Sequence, residues 1–335
     1  VSPDAARAPA AVEVDRPLID AVVLTNTSRD QALDCVAHLG EPQIASIVVV
    51  DNASDDDTVA AVRAAYPDVR LVALPAQTGI AAALNRGAEV GDAPYVLYLN
   101  DDVFAAPGSV RALLEALQSR DDAVAAGGRL CERDFTTQDR YRPRAFPTPV
   151  TIVARMLGLD RMWPRNPLTG RHLRQMLDDR TTVAVDQPAG ACLLVRRSVV
   201  EHVGGWDERY WFWYEDVDFS RRLAEHGALL YVPAAPFWHV GGATVRRMQR
   251  ADGHRCTFHG ILLYAHAHFS VPGEALVVLT LMAISATRAL LAVARADPDG
   301  ARIYAHAARS AVGRLAGRGL VGPQDLGGVA APRAP

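Results

Sequence analysis

The chain contains no lysine; all 35 of its basic residues are arginine. That absence excludes Schiff-base chemistry and the phosphate-binding loop whose lysine reaches the β/γ-phosphates. Cysteine is scarce as well, and Cys35, Cys131, Cys192 and Cys256 include no C-x-x-C pair. Neither a zinc site nor a disulfide framework is expected, and a reducing cytoplasm fits best. Neither sign of charge is in excess: the formal net charge is −3 over 335 residues, which offers no basic surface for nucleic acid. No uncharged apolar run reaches the ~20 residues of a transmembrane helix. One such run in the tail, Ala275 to Thr287, ends at Arg288. Val1 to Pro17, rich in Ala and Pro with no apolar signal core, is expected to be a disordered lead-in.

What remains is an ordinary globular composition, half hydrophobic and long enough to bury a core. From Leu18 a strand-helix rhythm begins. Leu18 to Leu24, Ile44 to Val50, Val69 to Leu74 and Tyr95 to Leu99 read as strands. Asp30 to Leu39, Thr58 to Ala65 and Ile80 to Glu89 read as the helices between them, with Val110 to Leu117 following. Short connections between alternating elements predict a parallel sheet covered on both faces.

Ligands of open α/β sheets bind at the C-terminal strand ends. There the chain carries Thr25, the pair Asp51-Asn52, and Asn100-Asp101-Asp102, with Gly79 opening a helix between the last two. Two acidic strand ends on one edge suit a nucleotide with a phosphate-bound divalent cation, because Mg²⁺ and Mn²⁺ favour carboxylate oxygen and take only one or two protein ligands. Asp51 is expected to accept hydrogen bonds from a base or ribose; the alternative is a helix cap for the segment from Ser54.

Residues 131–179 are proline- and arginine-rich and suit an acceptor-binding insertion. Val183 to Val195 reads as one strand interrupted by Pro188 and Gly190. Next, Trp206 to Phe219 mixes aromatic and acidic residues, with Glu215, Asp216 and Asp218 opening a helix. Carboxylates in a first helical turn are stabilised by the dipole, yet an aromatic wall of Trp206, Trp211 and Trp213 would also exclude water from a general base and offer faces to a sugar. After a strand over Leu229 to Val232, His239 is expected on a loop edge, as a metal ligand or a structural histidine.

The blocks Val48 to Ser54, Leu99 to Val103, Gly190 to Arg196, Trp213 to Asp218 and Trp238 to Gly242, in that order, resemble glycosyltransferase family 2, nearest to its bacterial rhamnosyltransferase and galactofuranosyltransferase-like members. The resemblance spans roughly Ile19 to Thr244. It implies the nucleotide-diphosphosugar transferase A fold: an α/β, Rossmann-like, mostly parallel sheet with flanking helices, here with a C-terminal helical extension. Carried over by position, Asp51 meets the nucleotide base, and Asp102 and His239 hold Mg²⁺ or Mn²⁺; Thr25, Asn52, Gly79, Asn100 and Asp101, the last ranked below Asp102 because the family often has a non-acidic residue there, are expected to bind the donor beside them. Asp216 is then the catalytic base with Glu215 beside it at the acceptor, and the aromatic faces of Trp206, Trp211 and Trp213 are expected to meet the acceptor sugar. Asn26-Thr27, Gln77-Thr78 and His259-Gly260 depart from the family's usual residues, which leaves the donor open.

The expected organisation is a nucleotide-sugar-binding half over 18–130 and an acceptor-binding, catalytic half over 131–245. A helical region follows over 246–322, then a disordered tail over 323–335. The expected partners are a dTDP-, UDP- or GDP-sugar and a glycan or lipid-linked acceptor. The basic stretch Arg302 to Arg318 fits either a peripheral contact with the inner face of the plasma membrane or packing on the catalytic domain. Two other readings stay open: a sugar-1-phosphate nucleotidyltransferase, and a non-catalytic carbohydrate-binding relative.

Overall fold

The computed structural model describes residues 16–163, 166, 168–169, 178–241 and 250–315. The lead-in up to residue 15, the expected tail, Gly242 and the end of the stretch to Arg318 lie outside the described residues.

Four parallel strands form the first half: β1 (Ile19–Thr25), β2 (Ile44–Asp51), β3 (Arg70–Ala73) and β4 (Tyr95–Asn100). The central strands are buried on both faces, as a doubly covered sheet requires, with all seven residues of β1 buried, whereas β3 at the edge of the sheet stays partly exposed. Helices α1 (Arg29–Ala37), α2 (Thr58–Ala65) and α3 (Ile80–Ala88) make the crossovers. Small residues let α3 lie close on the sheet, and a Cβ at Gly87 would meet the Val22 side chain at 2.3 Å.

The order β3-β2-β1-β4 places the topological switch between β1 and β4, with the C-terminal ends of β2, β1 and β4 on one edge. Beyond β4 the sheet becomes mixed. β8 (Cys192–Arg196) runs antiparallel between β4 and β6 (Ala123–Cys131), and β9 (Ala228–His239) pairs parallel with β6. β5 (Val103–Ala105) closes the far edge against β9.

The stretch Val183 to Val195, expected as one interrupted strand, is two. β7 (Val183–Val185) pairs with β9, and after Pro188 and Gly190 the chain enters β8 in a different part of the sheet. β9 in turn runs well past Val232, so His239 ends a strand instead of sitting on a loop. Pro233 and Pro236 fall at a bulge of β9: Gly128 of β6 pairs with Val232 and Arg129 with Pro236, so the residues between them stand outside the ladder.

Helix α4 (Ser109–Gln118) covers β6 and β9, and α5 (Pro149–Met156) starts at a capping box between Thr148 and Thr151. α6 (Leu159–Met162), α7 (Arg197–His202) and α8 (Glu215–Ala224) follow. The C-terminal extension comprises α9 (Arg250–His268), α10 (Val271–Ala294) and α11 (Pro298–Leu315). At 24 residues α10 outgrows the charge-free run seen in the sequence; by length and composition alone it is long enough to cross a membrane, with 28% of its apolar window buried.

Candidate functional site

Strand ends place the donor-side candidates together. The Thr25 hydroxyl donates to Asp101 Oδ2 at 2.7 Å, across the switch between β1 and β4. The backbone N–H of Asp101 in turn donates to the Leu24 carbonyl. Asn52 Oδ1 accepts the backbone N–H of Thr78 at 2.9 Å, tying the end of β2 to the loop that leads into α3. Asp51 is buried, and its carboxylate accepts both the backbone N–H and the hydroxyl of Ser54. It therefore braces its own loop and does not cap α2, whose first turn is held by Asp56. Asn100 closes β4, its N–H donating to the Ala191 carbonyl at 3.1 Å.

Gly79 adopts φ +82°, a left-handed conformation that a side chain would strain. Space is also closed there, since a Cβ would meet the Trp211 carbonyl oxygen at 2.9 Å. That same carbonyl accepts the Ile80 N–H at 3.0 Å, so the first turn of α3 is capped by the backbone of the aromatic loop.

Register brings Asp102 to His239. The chain leaves β4 through Asp101-Asp102 and enters β5, where Val103 pairs with His239 of β9. Asp102 is buried; its Oδ2 accepts the Gly241 N–H at 3.1 Å, and its Oδ1 lies 3.6 Å from His239 Nε2. Gln138 decides what that 3.6 Å contact is. Its Nε2 donates to the His239 carbonyl at 2.7 Å and to Glu132 Oε1 at 2.9 Å, which leaves its Oε1 facing His239 Nδ1 at 2.9 Å. An acceptor there requires the proton on Nδ1. Burial pushes His239 below its ordinary value despite the pull of Asp102, so the ring is neutral near pH 7. Nε2 thus turns a lone pair toward a carboxylate oxygen, an arrangement that a cation between them would satisfy. Among the described residues no group of three or more His, Cys, Asp or Glu gathers as a metal cluster.

The acidic pair opens α8. Asp216 Oδ1 accepts the Val217 N–H at 2.8 Å, and its Oδ2 accepts Gln187 Nε2 at 3.2 Å. Burial raises its pKa, while Arg144 pulls it back down. A carboxylate held above its ordinary range keeps more basicity for a hydroxyl proton. Gly190 makes room: a Cβ there would meet Asp216 Cβ at 2.5 Å. Glu215 is buried more deeply, pushed up to about 8 by desolvation and by the neighbouring Asp216 charge, and its Oε2 has no hydrogen-bond partner.

The three tryptophans separate. Trp206 is 2% exposed, stacked on Phe219 at 4.1 Å and set edge-on to Tyr98. With no face left for a ligand, it is a core residue, and its assignment to the acceptor wall is corrected. Trp211 and Trp213 stay partly exposed on the loop before α8. Trp213 and Tyr214 both hold positive φ, at +66° and +70°, a strained pair immediately before the two acids.

Sequence reasoning missed Gln138, Gln187 and Arg144. All lie in or near the segment without periodicity, where no spacing points to them; only the β6–β9 pairing and the Arg144–Gln187 bridge bring them in.

Comparison with known proteins points to one family. The family model described as "Glycosyl transferase family 2" matches residues 29–204. An N-acetylglucosaminyl-diphospho-decaprenol L-rhamnosyltransferase of Mycobacterium tuberculosis (strain ATCC 25618 / H37Rv) is 38% identical over 207 residues, which is 58% of this chain and 66% of that protein. Rhamnosyltransferase WbbL of Escherichia coli (strain K12) is 30% identical over 147 residues, 43% of this chain and 51% of that protein. The chain thus spans 66% or less of the length of these curated relatives. Among solved structures, mannosyltransferase PcManGT from Pyrobaculum calidifontis, in complex with GDP-Man and Mn²⁺, aligns with a TM-score of 0.50 at 18% identity, covering 90% of this chain and 79% of that one. At that identity the likeness speaks for the fold alone.

Proposed function

Because the chain belongs to glycosyl transferase family 2, we propose that it transfers a sugar, rhamnose or galactofuranose-like, from a nucleoside diphosphate to a hydroxyl of a cell-envelope glycan or glycolipid, with inversion and with a divalent cation. The names of the two rhamnosyltransferase relatives support the sugar and the lipid-linked acceptor. The donor class and the cation are inferred from the acidic strand ends and from the Asp102–His239 pair. Such an enzyme would work at the cytoplasmic side of the membrane that carries its acceptor.

One observation carries the reading: a neutral imidazole, its tautomer set by Gln138, faces the Asp102 carboxylate on the same sheet edge as Thr25, Asp51 and Asn52. Asp102 and His239 would hold Mg²⁺ or Mn²⁺, with diphosphate oxygens and water completing the shell. Bound there, the cation supplies neutralisation of the charge that develops on the departing nucleoside diphosphate.

The chain's own residues do the rest. Asp216, kept basic by burial and oriented by Gln187 and the Val217 N–H, takes the acceptor proton as the hydroxyl attacks the anomeric carbon opposite the leaving group. One displacement inverts that centre. Glu215, protonated at neutral pH, adds no second charge to repel the developing alkoxide. Trp211 and Trp213 offer partly exposed faces for the acceptor sugar. The deciding experiment measures nucleoside diphosphate release from a panel of dTDP-rhamnose, UDP-galactofuranose and common UDP- and GDP-sugars. Turnover of none with a polyprenyl-diphosphate-sugar acceptor overturns the proposal, as does full metal-dependent donor binding in Asp102→Ala.

A further inference from the structure

Near Asp216 stands a cation that the chemistry proposed above leaves without a ligand. Arg144 is half-buried, and a two-way bridge fixes its backbone: its N–H donates to the Gln187 carbonyl at 3.0 Å, and the Gln187 N–H donates to the Arg144 carbonyl at 3.1 Å. The side chain of that same Gln187 donates to Asp216 Oδ2. Two residues on, the Phe146 N–H donates to Asp186 Oδ2 at 3.1 Å, and the Arg221 guanidinium lies 5.0 Å from the Phe146 ring. The place of Arg144 relative to the Asp216 carboxylate is therefore set by backbone, ahead of any ligand.

The guanidinium itself is only partly used. Its Nη2 donates to the Arg140 carbonyl at 2.7 Å; Nε and Nη1 have no partner among the described residues, and the group makes no ion pair there. Asp216 is close enough for its charge to act on Arg144, yet the two share neither a hydrogen bond nor an ion pair, so a gap separates them. Arg155 of α5, exposed, acts on Arg144 as a like charge, and both arginines act on Tyr214 at the start of α8. Base, two guanidinium groups and Tyr214 thus border one recess.

The charges in this recess are in conflict. Burial disfavours the Arg144 cation, Asp216 supports it and Arg155 opposes it. Once Asp216 has taken a proton from the acceptor, that support is gone and two arginines remain side by side. The acids on neighbouring segments are engaged, Asp160 with Arg155 at 3.8 Å and Asp186 with the Phe146 N–H. An anion brought by the substrate removes the conflict, and phosphate suits it, because guanidinium presents paired N–H groups to two phosphate oxygens.

We propose that Arg144, with Arg155 at the rim, binds phosphate oxygens of the acceptor, so that the chain selects acceptors whose reacting sugar carries a phosphate or diphosphate. This rests on the transferase reading of the site. A sugar ring that offers its hydroxyl to Asp216 brings a phosphate on the same ring toward the gap. The donor's diphosphate has its own counter-charge in the cation proposed at Asp102 and His239.

The test gives one donor to two acceptors, a polyprenyl-diphosphate-linked sugar and a neutral alkyl glycoside of the same sugar, in the parent, Arg144→Met, Arg155→Met and Arg144→Lys. The parent should prefer the diphosphate acceptor. In Arg144→Met that preference, read as the ratio of the two kcat/KM values, should fall about 10- to 100-fold, with little change in donor KM and a parental circular dichroism spectrum. Arg155→Met should lose less, and Arg144→Lys should recover part of the ratio. No preference in the parent overturns the proposal. Equal loss with both acceptors does so too, since Arg144 would then serve only as a charge beside Asp216, as does a raised donor KM at an unchanged ratio, since the phosphate would be the donor's. Binding of farnesyl diphosphate against farnesol without donor, followed by tryptophan fluorescence, needs no turnover: affinity at least about tenfold weaker in Arg144→Met supports the subsite, and parental affinity overturns it. If that binding difference holds while no donor is turned over, the transferase reading fails and the phosphate subsite stands.

Discussion

Replacing Gln138 with leucine tests the coupling between the insertion and the candidate cation site. The substitution keeps the volume but removes the 2.9 Å acceptor for His239 Nδ1 and the 2.7 Å donor to the His239 carbonyl. Each neutral hydrogen bond contributes about 0.5–1.5 kcal/mol net, so the loss amounts to roughly 1–3 kcal/mol of orientation for the imidazole. That converts to a fall in cation affinity of about 10- to 100-fold, the range found when an outer partner of a metal-bound histidine is removed. The assay is calorimetric titration of Mn²⁺ in the presence of a nucleoside diphosphate. A parallel ¹⁵N measurement on the imidazole should show the proton confined to Nδ1 in the parent and shared between the nitrogens in Gln138→Leu. An affinity within twofold of the parent, with the tautomer unchanged, would refute the assignment of Gln138 as the positioning residue.

The other expectations concern the acidic helix start and its surroundings. Asp216→Asn should lower kcat by at least about 100-fold with little change in donor affinity; donor titration beside turnover separates the two, and near-parental turnover would remove the base. Glu215, raised to about 8 from an ordinary carboxylate, is more easily protonated in the folded than in the unfolded chain. The stability linked to it is therefore full below about pH 4.5 and is lost as pH rises toward 8. Glu215→Gln should flatten that decline by a few kcal/mol, and melts at pH 5 and pH 8 read the difference. Gly190→Ala forces a methyl against Asp216 and should reduce kcat more than it reduces the melting temperature. Trp206→Ala should cost about 3–5 kcal/mol of stability while leaving the acceptor KM unchanged below the melting transition; a raised KM would return Trp206 to the acceptor site.

How legible was this in the sequence? Helix α2 was expected at Thr58 to Ala65 and is found there, because a β-branched strand, a polar turn and an alanine-rich helix are local statements. The acidic strand ends were equally plain. Long-range pairing was not: β5 is three residues long, and nothing near Val103 announces that it will lie beside His239. β9 likewise runs past its expected end at Val232 through a bulge of its own, which only its pairing with β6 reveals. Burial was the other blind spot. Trp206 sits in the same aromatic run as Trp211 and Trp213, and composition alone cannot tell a core residue from an exposed one. Gln138 carries no motif at all, since its role exists only once β6 and β9 are paired.

The Ile80 N–H held by the Trp211 carbonyl has a thermodynamic consequence. In the proposed function helix α3 begins on the nucleotide side of the cleft and the loop of Trp211 and Trp213 on the acceptor side, so one hydrogen bond would make the two half-sites mechanically continuous. With the Trp211 backbone packed closely against Gly79, ordering one side would order the other. Linkage then demands reciprocity: whatever factor by which bound nucleotide tightens the acceptor, the acceptor must tighten the nucleotide by the same factor.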